Sequence, residues 1–224
     1  MNALALKIIA LVSMFIDHFA VAFPSFFSET GFLVMRCVGR VAFPIFAFLI
    51  ARGCVYTKDR RRYFLRILLL AVISQIPYTY ALHSSKANIL FTLAASVAAI
   101  ILLENIRVRN YRILSAVFLI PICFASPYLD YGWKGVLLIV LLYYIQEPVQ
   151  TGWFLVFALM LIYNPIRSRD YLFYYLSAVV AVPFLVAYNS RQGYKGRVLQ
   201  YGFYLLYPLH LAVYSLLKLW LGFA

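Results

Sequence analysis

The sequence predicts an all-α polytopic integral membrane protein. It reads as a single transmembrane domain over residues 1–224, with about nine helices (eight to nine) around a polar mid-membrane site. Composition is the first of three observations behind this. Of the 224 residues, 65% are hydrophobic, 18% are aromatic and only 12% are charged. Ordinary soluble domains have roughly 25% charged and about 45–50% apolar residues. Second, apolar runs long enough to cross a bilayer, roughly 17–25 residues each, recur along the whole chain. Third, the breaks between them are short and rich in Gly, Pro, Ser and Asn: "SETG", "LHSSKAN", "SPYLDYG", "QEPVQTG" and "NSRQGYKG". No stretch reads as a separate soluble domain.

In chain order the expected segments are 6–27, 32–52, 63–82, 88–106, 112–128, 132–147, 151–166, 171–189 and 198–221. Lys7, an apolar stretch and "AVA" at 20–22 give the first the look of a signal peptide; a retained first transmembrane helix is expected. The second runs from "SETG" to the cationic "RGCVYTKDRRRYFLR", and the third from that loop to "LHSSKAN". The fourth opens on "ANILFTL" and closes on Arg107 and Arg109; the fifth starts at Arg112 and stops at "SPYLDYG". The sixth and seventh are short. If either is tilted, re-entrant or interfacial, the count is eight. "NSRQGYKG" separates the last two.

Basic residues orient the set. The loop after the second span is the densest in cations and is expected to stay cytoplasmic, which puts the N-terminus inside. That side then holds Lys7, six cations between 52 and 66, Arg107, Arg109, Arg112, Arg191, Lys195 and Arg197. Lys86, Lys134, Arg167 and Arg169 fall outside; the last two make the region after residue 146 the weakest part of this topology. The net charge of +13 therefore reads as positive-inside insertion into a lipid bilayer, with no nucleic-acid partner. Cys37, Cys54 and Cys123 stand singly, with neither metal spacing nor a disulfide framework, and no metal is expected.

Within these spans lie ionisable residues that a membrane interior makes costly. "SMFIDHFAVAF" places Asp17 and His18 side by side in the first segment. At about 1.5 Å rise per residue, Asp17 lies roughly 15 Å below the outer end of its span. Arg40 falls at a similar depth in the second, with Arg36 one turn shallower on the same face. Asp17 and Arg40 are therefore expected to pair. His18 points about 100° away from Asp17 around the helix and needs another partner or a substrate. His210, in "YLLYPLHL", lies near mid-depth of the last span. Pro44, Pro77 and Pro208 lack an N–H and leave the carbonyls of Arg40, Ile73 and Tyr204 without their helical donors, suggesting a polar interior cavity. Gln75, beside Pro77, is expected to lie in the membrane interior with them. Asn88 and Thr92 lie toward the outer half, where Asn88 is expected to cap the fourth helix, and Asp130 to shape the turn before Gly132.

"LKIIALVSMFIDHFA", "VGRVAFPIFAFLIARG", "TKDRRRYFLRILLLAVISQIPY", "NILFTL", "YGWKG" and "YLLYPLHL", in this order, resemble the TraX family. The likeness is dense over 6–93, thin from 94 to 196 apart from "YGWKG", and returns at 201–211. The resemblance implies an integral acetyltransferase of the bacterial inner membrane that uses acetyl-CoA to acetylate the N-terminus of conjugative pilin. It carries Asp17, His18, Arg36, Gly39, Arg40, Pro44, Gln75, Asn88, Thr92 and His210 as motif positions. The chain departs from the family pattern at Arg52, where the pattern has an acidic residue, and at Gln75 or Thr79, where it often has another; the acceptor therefore stays open between pilin and another exported amine or hydroxyl compound.

The residues can support that chemistry. Acyl transfer from a thioester needs a base and a stabiliser of the oxyanion, and histidine is the usual base near neutral pH. The expected catalytic residues are His18, His210 and Asp17, with Asp17 orienting His210 across the helix interface. The expected substrate-binding residues are Arg36, Arg40, Gln75, Asn88, Thr92 and Asp130, with the two arginines stabilising developing negative charge or locking Asp17. Arg60, Arg61, Arg62 and Arg66, with Arg109 and Arg112, are expected to hold the phosphates of acetyl-CoA. Two other classes use the same residues. A proton-coupled transporter also places Asp, Arg and His at mid-depth, although no internal repeat is evident. An assembly scaffold would use them to fasten helices together. Oligomeric state is not written in the sequence.

Overall fold

The computed structural model describes residues 1–109, 128–166, 168–191, 193 and 196–222. Among them the structure is all-helical, with an isolated bridge between Ala87 and Leu129. The α-helices are α1 Ala3–Ala22, α2 Glu29–Gly39, α3 Ala42–Tyr56, α4 Arg60–Leu82, α5 Ile89–Arg109, α6 Gly132–Tyr144, α7 Pro148–Tyr163, α8 Arg169–Val179, α9 Ala181–Val186 and α10 Arg197–Leu221. Their starts follow capping chemistry. Asn2 accepts from the Ala5 N–H, Ser28 from Gly31, Glu147 from Gln150 ahead of Pro148, and Ser168 from Tyr171.

Proline sets the breaks. The expected second span, 32–52, is divided between α2 and α3, because Pro44 supplies no N–H to the carbonyl of Arg40. Pro183 does the same to Val179, and α8 and α9 part at Val180. Pro77 and Pro208 instead lie inside continuous helices.

Among the described residues, five stretches are long and apolar enough to cross a membrane: Ala3–Ala22, Glu29–Tyr56, Arg60–Leu82, Arg169–Val186 and Gly202–Leu221. Three shorter apolar helices, Ile89–Asn105, Gly132–Tyr144 and Pro148–Tyr163, stand where the fourth, sixth and seventh spans were expected. The fifth, 112–128, lies almost wholly outside the described residues. The protein is a multi-pass membrane protein by these helices. Large apolar side chains face outward along them, such as Ile76 at 68% and Trp220 at 81% exposure. Water would penalise such a surface and lipid does not.

The chain forms two compact units. The first comprises Met1–Phe46, Ile76–Ser84 and Glu147–Ala224. In it α1 packs on α2 and α10, α2 on α8, and α7 on α8 and α9, around Leu6, Phe23, Leu155, Leu159, Leu185 and Leu211. The second comprises Ala47–Gln75 and Ser85–Gln146. There α5 packs on α6, burying Val97, Ile100, Ile139 and Leu142.

Candidate functional site

In the first unit the ionic residues of α1 and α2 meet as expected. Asp17 Oδ1 accepts from Arg40 Nη2 at 2.8 Å, and Asp17 Oδ2 pairs with Arg36 Nη1 at 2.8 Å. Arg36 and Arg40 sit four apart, so both guanidiniums reach the same α1 position. Arg40 also donates from Nε to the Arg36 carbonyl at 3.2 Å and lies 5.4 Å from the centre of the Tyr174 ring. One carboxylate thus serves two guanidiniums, and the trio keeps one positive charge in excess. The close approach of α2 depends on Gly39, where any Cβ would collide with the Asp17 side chain down to its own Cβ.

His18, one residue on, turns to α10. Its Nδ1 lies 2.7 Å from Nε2 of His210, and the two rings are nearly coplanar, 9° apart with centroids 5.1 Å apart. That is the geometry of two imidazoles bonded edge to edge in a common plane. His210 Nδ1 lies 2.8 Å from the Leu206 carbonyl one turn back. Phe15, Tyr207 and Tyr214 surround His210 with rings at 4.6, 5.6 and 5.6 Å. The Tyr214 hydroxyl donates to the Phe15 carbonyl, which pins α10 to α1 at this level. The expectation that Asp17 orients His210 is not met: the Asp17 carboxylate pairs with the two arginines, and His210 is held by His18 and Leu206.

In the second unit, four residues expected to bind substrate form a different kind of cluster. Asn88 is fully buried; its N–H and Nδ2 donate to Gln75 Oε1 at 2.9 and 3.0 Å, and Nδ2 also donates to the Ala71 carbonyl. Asn88 Oδ1 accepts from the Leu90 N–H, which is the expected cap of α5. Gln75 Nε2 donates to the Lys86 carbonyl. Thr92 donates to the Asp130 carbonyl at 2.5 Å, and Asp130 Oδ1 accepts from the Tyr131 N–H in the turn before Gly132.

The cationic loop divides. Arg60 turns inward, donating to the Cys54 carbonyl and the Tyr143 hydroxyl. Arg62 and Arg66 are exposed and, with Thr57, Lys58, Asp59 and Leu65, line a recess of about 580 Å³. Arg61 is exposed beside them. Arg109 ends α5, and its side chain, like all of Arg112, lies outside the described residues. Sequence reasoning placed Arg52 with this loop, yet it is only 8% exposed, donates to the Gln146 carbonyl at 2.8 Å and lies over Phe48. It also missed Tyr207 and Tyr214, although their places three before and four after His210 put them on its helix face.

Fold and site together define a multi-pass membrane protein, all-helical among the described residues, with a half-buried Asp–Arg–Arg trio and a histidine pair in one unit. The chain matches the TraX protein family over residues 3–218 and belongs to it. A probable fimbrial assembly protein FimC, serogroup H1, of Dichelobacter nodosus is 28% identical over 244 aligned residues, spanning 98% of this chain and 97% of the relative. No solved structure matches the chain.

Proposed function

We propose that the protein is an integral acetyltransferase of the bacterial inner membrane, N-terminus cytoplasmic, that acetylates an exported amine, with a pilin N-terminus the foremost acceptor. Membership of the TraX family and the fimbrial-assembly name of the relative support a pilus-related role. The observation behind the chemistry is the 2.7 Å contact between His18 and His210 next to a trio with surplus positive charge. The pair supplies a proton acceptor, and Arg36 and Arg40 supply charge against the oxyanion that forms at the acyl carbon.

Acetyl-CoA would supply the acetyl group as a thioester. The recess of the second unit fits its phosphates in character, with Lys58, Arg62 and Arg66 against the single carboxylate of Asp59. Gln75, Asn88 and Thr92 hold main-chain groups in that unit, and we assign them to support.

The test is thermal stability of the detergent-purified protein, titrated with acetyl-CoA against a matched anionic nucleotide. A ligand at about 100 times its dissociation constant stabilises the folded state by roughly 2.7 kcal/mol. A saturable shift specific to acetyl-CoA is expected. No shift beyond the control nucleotide overturns the donor assignment and turns attention to proton-coupled transport in vesicles.

A further inference from the structure

We infer that the two histidines have different roles: His18 accepts the proton at Nε2, and His210 is a positioning residue that fixes the tautomer of His18. This rests on the acetyltransferase reading for the reaction, but not for the geometry.

The reasoning starts at a backbone carbonyl. Leu206 O can only accept, so the 2.8 Å contact places a hydrogen on His210 Nδ1. A neutral His210 then has its lone pair at Nε2. The 2.7 Å contact to His18 needs one hydrogen between the rings, and His18 Nδ1 must donate it. His18 is left with its lone pair at Nε2. An added proton goes there without breaking either bond, whereas protonating His210 at Nε2 would break the bond to His18. Phe15, Tyr207 and Tyr214 close around His210 and suit it to support. In the reaction, His18 takes a proton from the acceptor nitrogen as that nitrogen bonds to the acetyl carbon and the carbon–sulfur bond breaks. It then returns the proton to the departing sulfur, so the proton count closes.

The experiment has two arms on the full chain in detergent. Nitrogen-15 spectra of histidine-labelled protein are simple, because the chain holds three histidines, His18, His83 and His210. Protonated Nδ1 on both His18 and His210, with His210→Leu releasing the His18 tautomer, is expected. A His18 protonated at Nε2 in the neutral ring overturns the inference whatever the protein catalyses.

The second arm follows thiol release from acetyl-CoA with a peptide bearing a free N-terminal amine. His18→Ala should lose ~100-fold or more in rate, the span of a general base. His210→Gln, whose Oε1 can accept from His18 Nδ1, should stay within about tenfold of the parent, while His210→Leu approaches His18→Ala. A fully active His210→Leu, or an active His18→Ala, overturns the roles. If the parent protein releases no thiol, the acetyltransferase reading fails and the spectra alone decide the relay.

Discussion

The histidine pair of the first unit and the Asn88 cluster of the second are both polar, at least half-buried and set among apolar helices, yet they end differently. Around Asn88 the amide donors and acceptors close on main-chain groups and Gln75, and the cluster joins α4, the following loop and the start of α5. Around His18 the contacts run from the Leu206 carbonyl through His210 to His18 Nδ1, and with the tautomers inferred above they stop at a nitrogen lone pair. A network that only has to hold helices together gains by closing, since each unpaired buried group costs it stability. A network that handles a proton must leave one end open.

That contrast can be broken most severely at Asp17. Asp17→Ala strands two half-buried guanidiniums and is expected to cost about 1.5–3 kcal/mol, read as a large drop in thermal midpoint. Gly39→Ala should damage the same contact from the α2 side. If the variant melts like the parent, the Asp17 geometry is wrong. His18→Ala should reverse the pattern, with loss of ~100-fold or more in transfer at a nearly unchanged midpoint. A collapse of folding there would move His18 into the same category as Asn88.

Asn88→Ala should do the opposite of His18→Ala. It removes one of the two donors to Gln75 Oε1, the donor to the Ala71 carbonyl and the acceptor of the Leu90 N–H, and should cost about 1–3 kcal/mol, while transfer per folded molecule stays near that of the parent. A strong loss of transfer at full stability would make Asn88 part of the chemistry. The smallest effect belongs to Tyr174→Leu, which removes the ring beside Arg40 and should cost about 0.5–1 kcal/mol, resolvable in a double-mutant cycle with Arg40→Lys.

Much of the ionic trio was legible in the sequence. Helical rise places Asp17 and Arg40 at one depth, and a hairpin between successive spans brings them face to face. Pro44 likewise announces the break after Arg40. The His18–His210 contact was not legible, because no periodicity says which of many apolar helices lies beside α1. The Asp17–His210 link failed for a related reason: spacing shows that residues share a depth, but not how a carboxylate divides itself among several donors. Nor could the sequence show that Gln75, Asn88 and Thr92, expected to bind substrate, make hydrogen bonds to main-chain groups. Among the described residues the expected nine spans meet five stretches of full length, since the apolar part of α5 and the helices α6 and α7 fall short and the 112–128 segment lies almost wholly outside those residues.

The separation of partners along the chain sets an order of assembly. Asp17 and Arg40 are 23 residues apart, so the trio can form within the first hairpin as soon as the second apolar segment enters the membrane, before either charge is left alone in lipid. His18 and His210 are 192 residues apart. Their bond cannot exist until the last helix is synthesised and inserted. A nascent chain therefore has its ionic trio paired early and lacks the histidine contact until it is nearly finished, and a chain truncated before α10 would be retained in the membrane with its trio formed and its histidine pair missing.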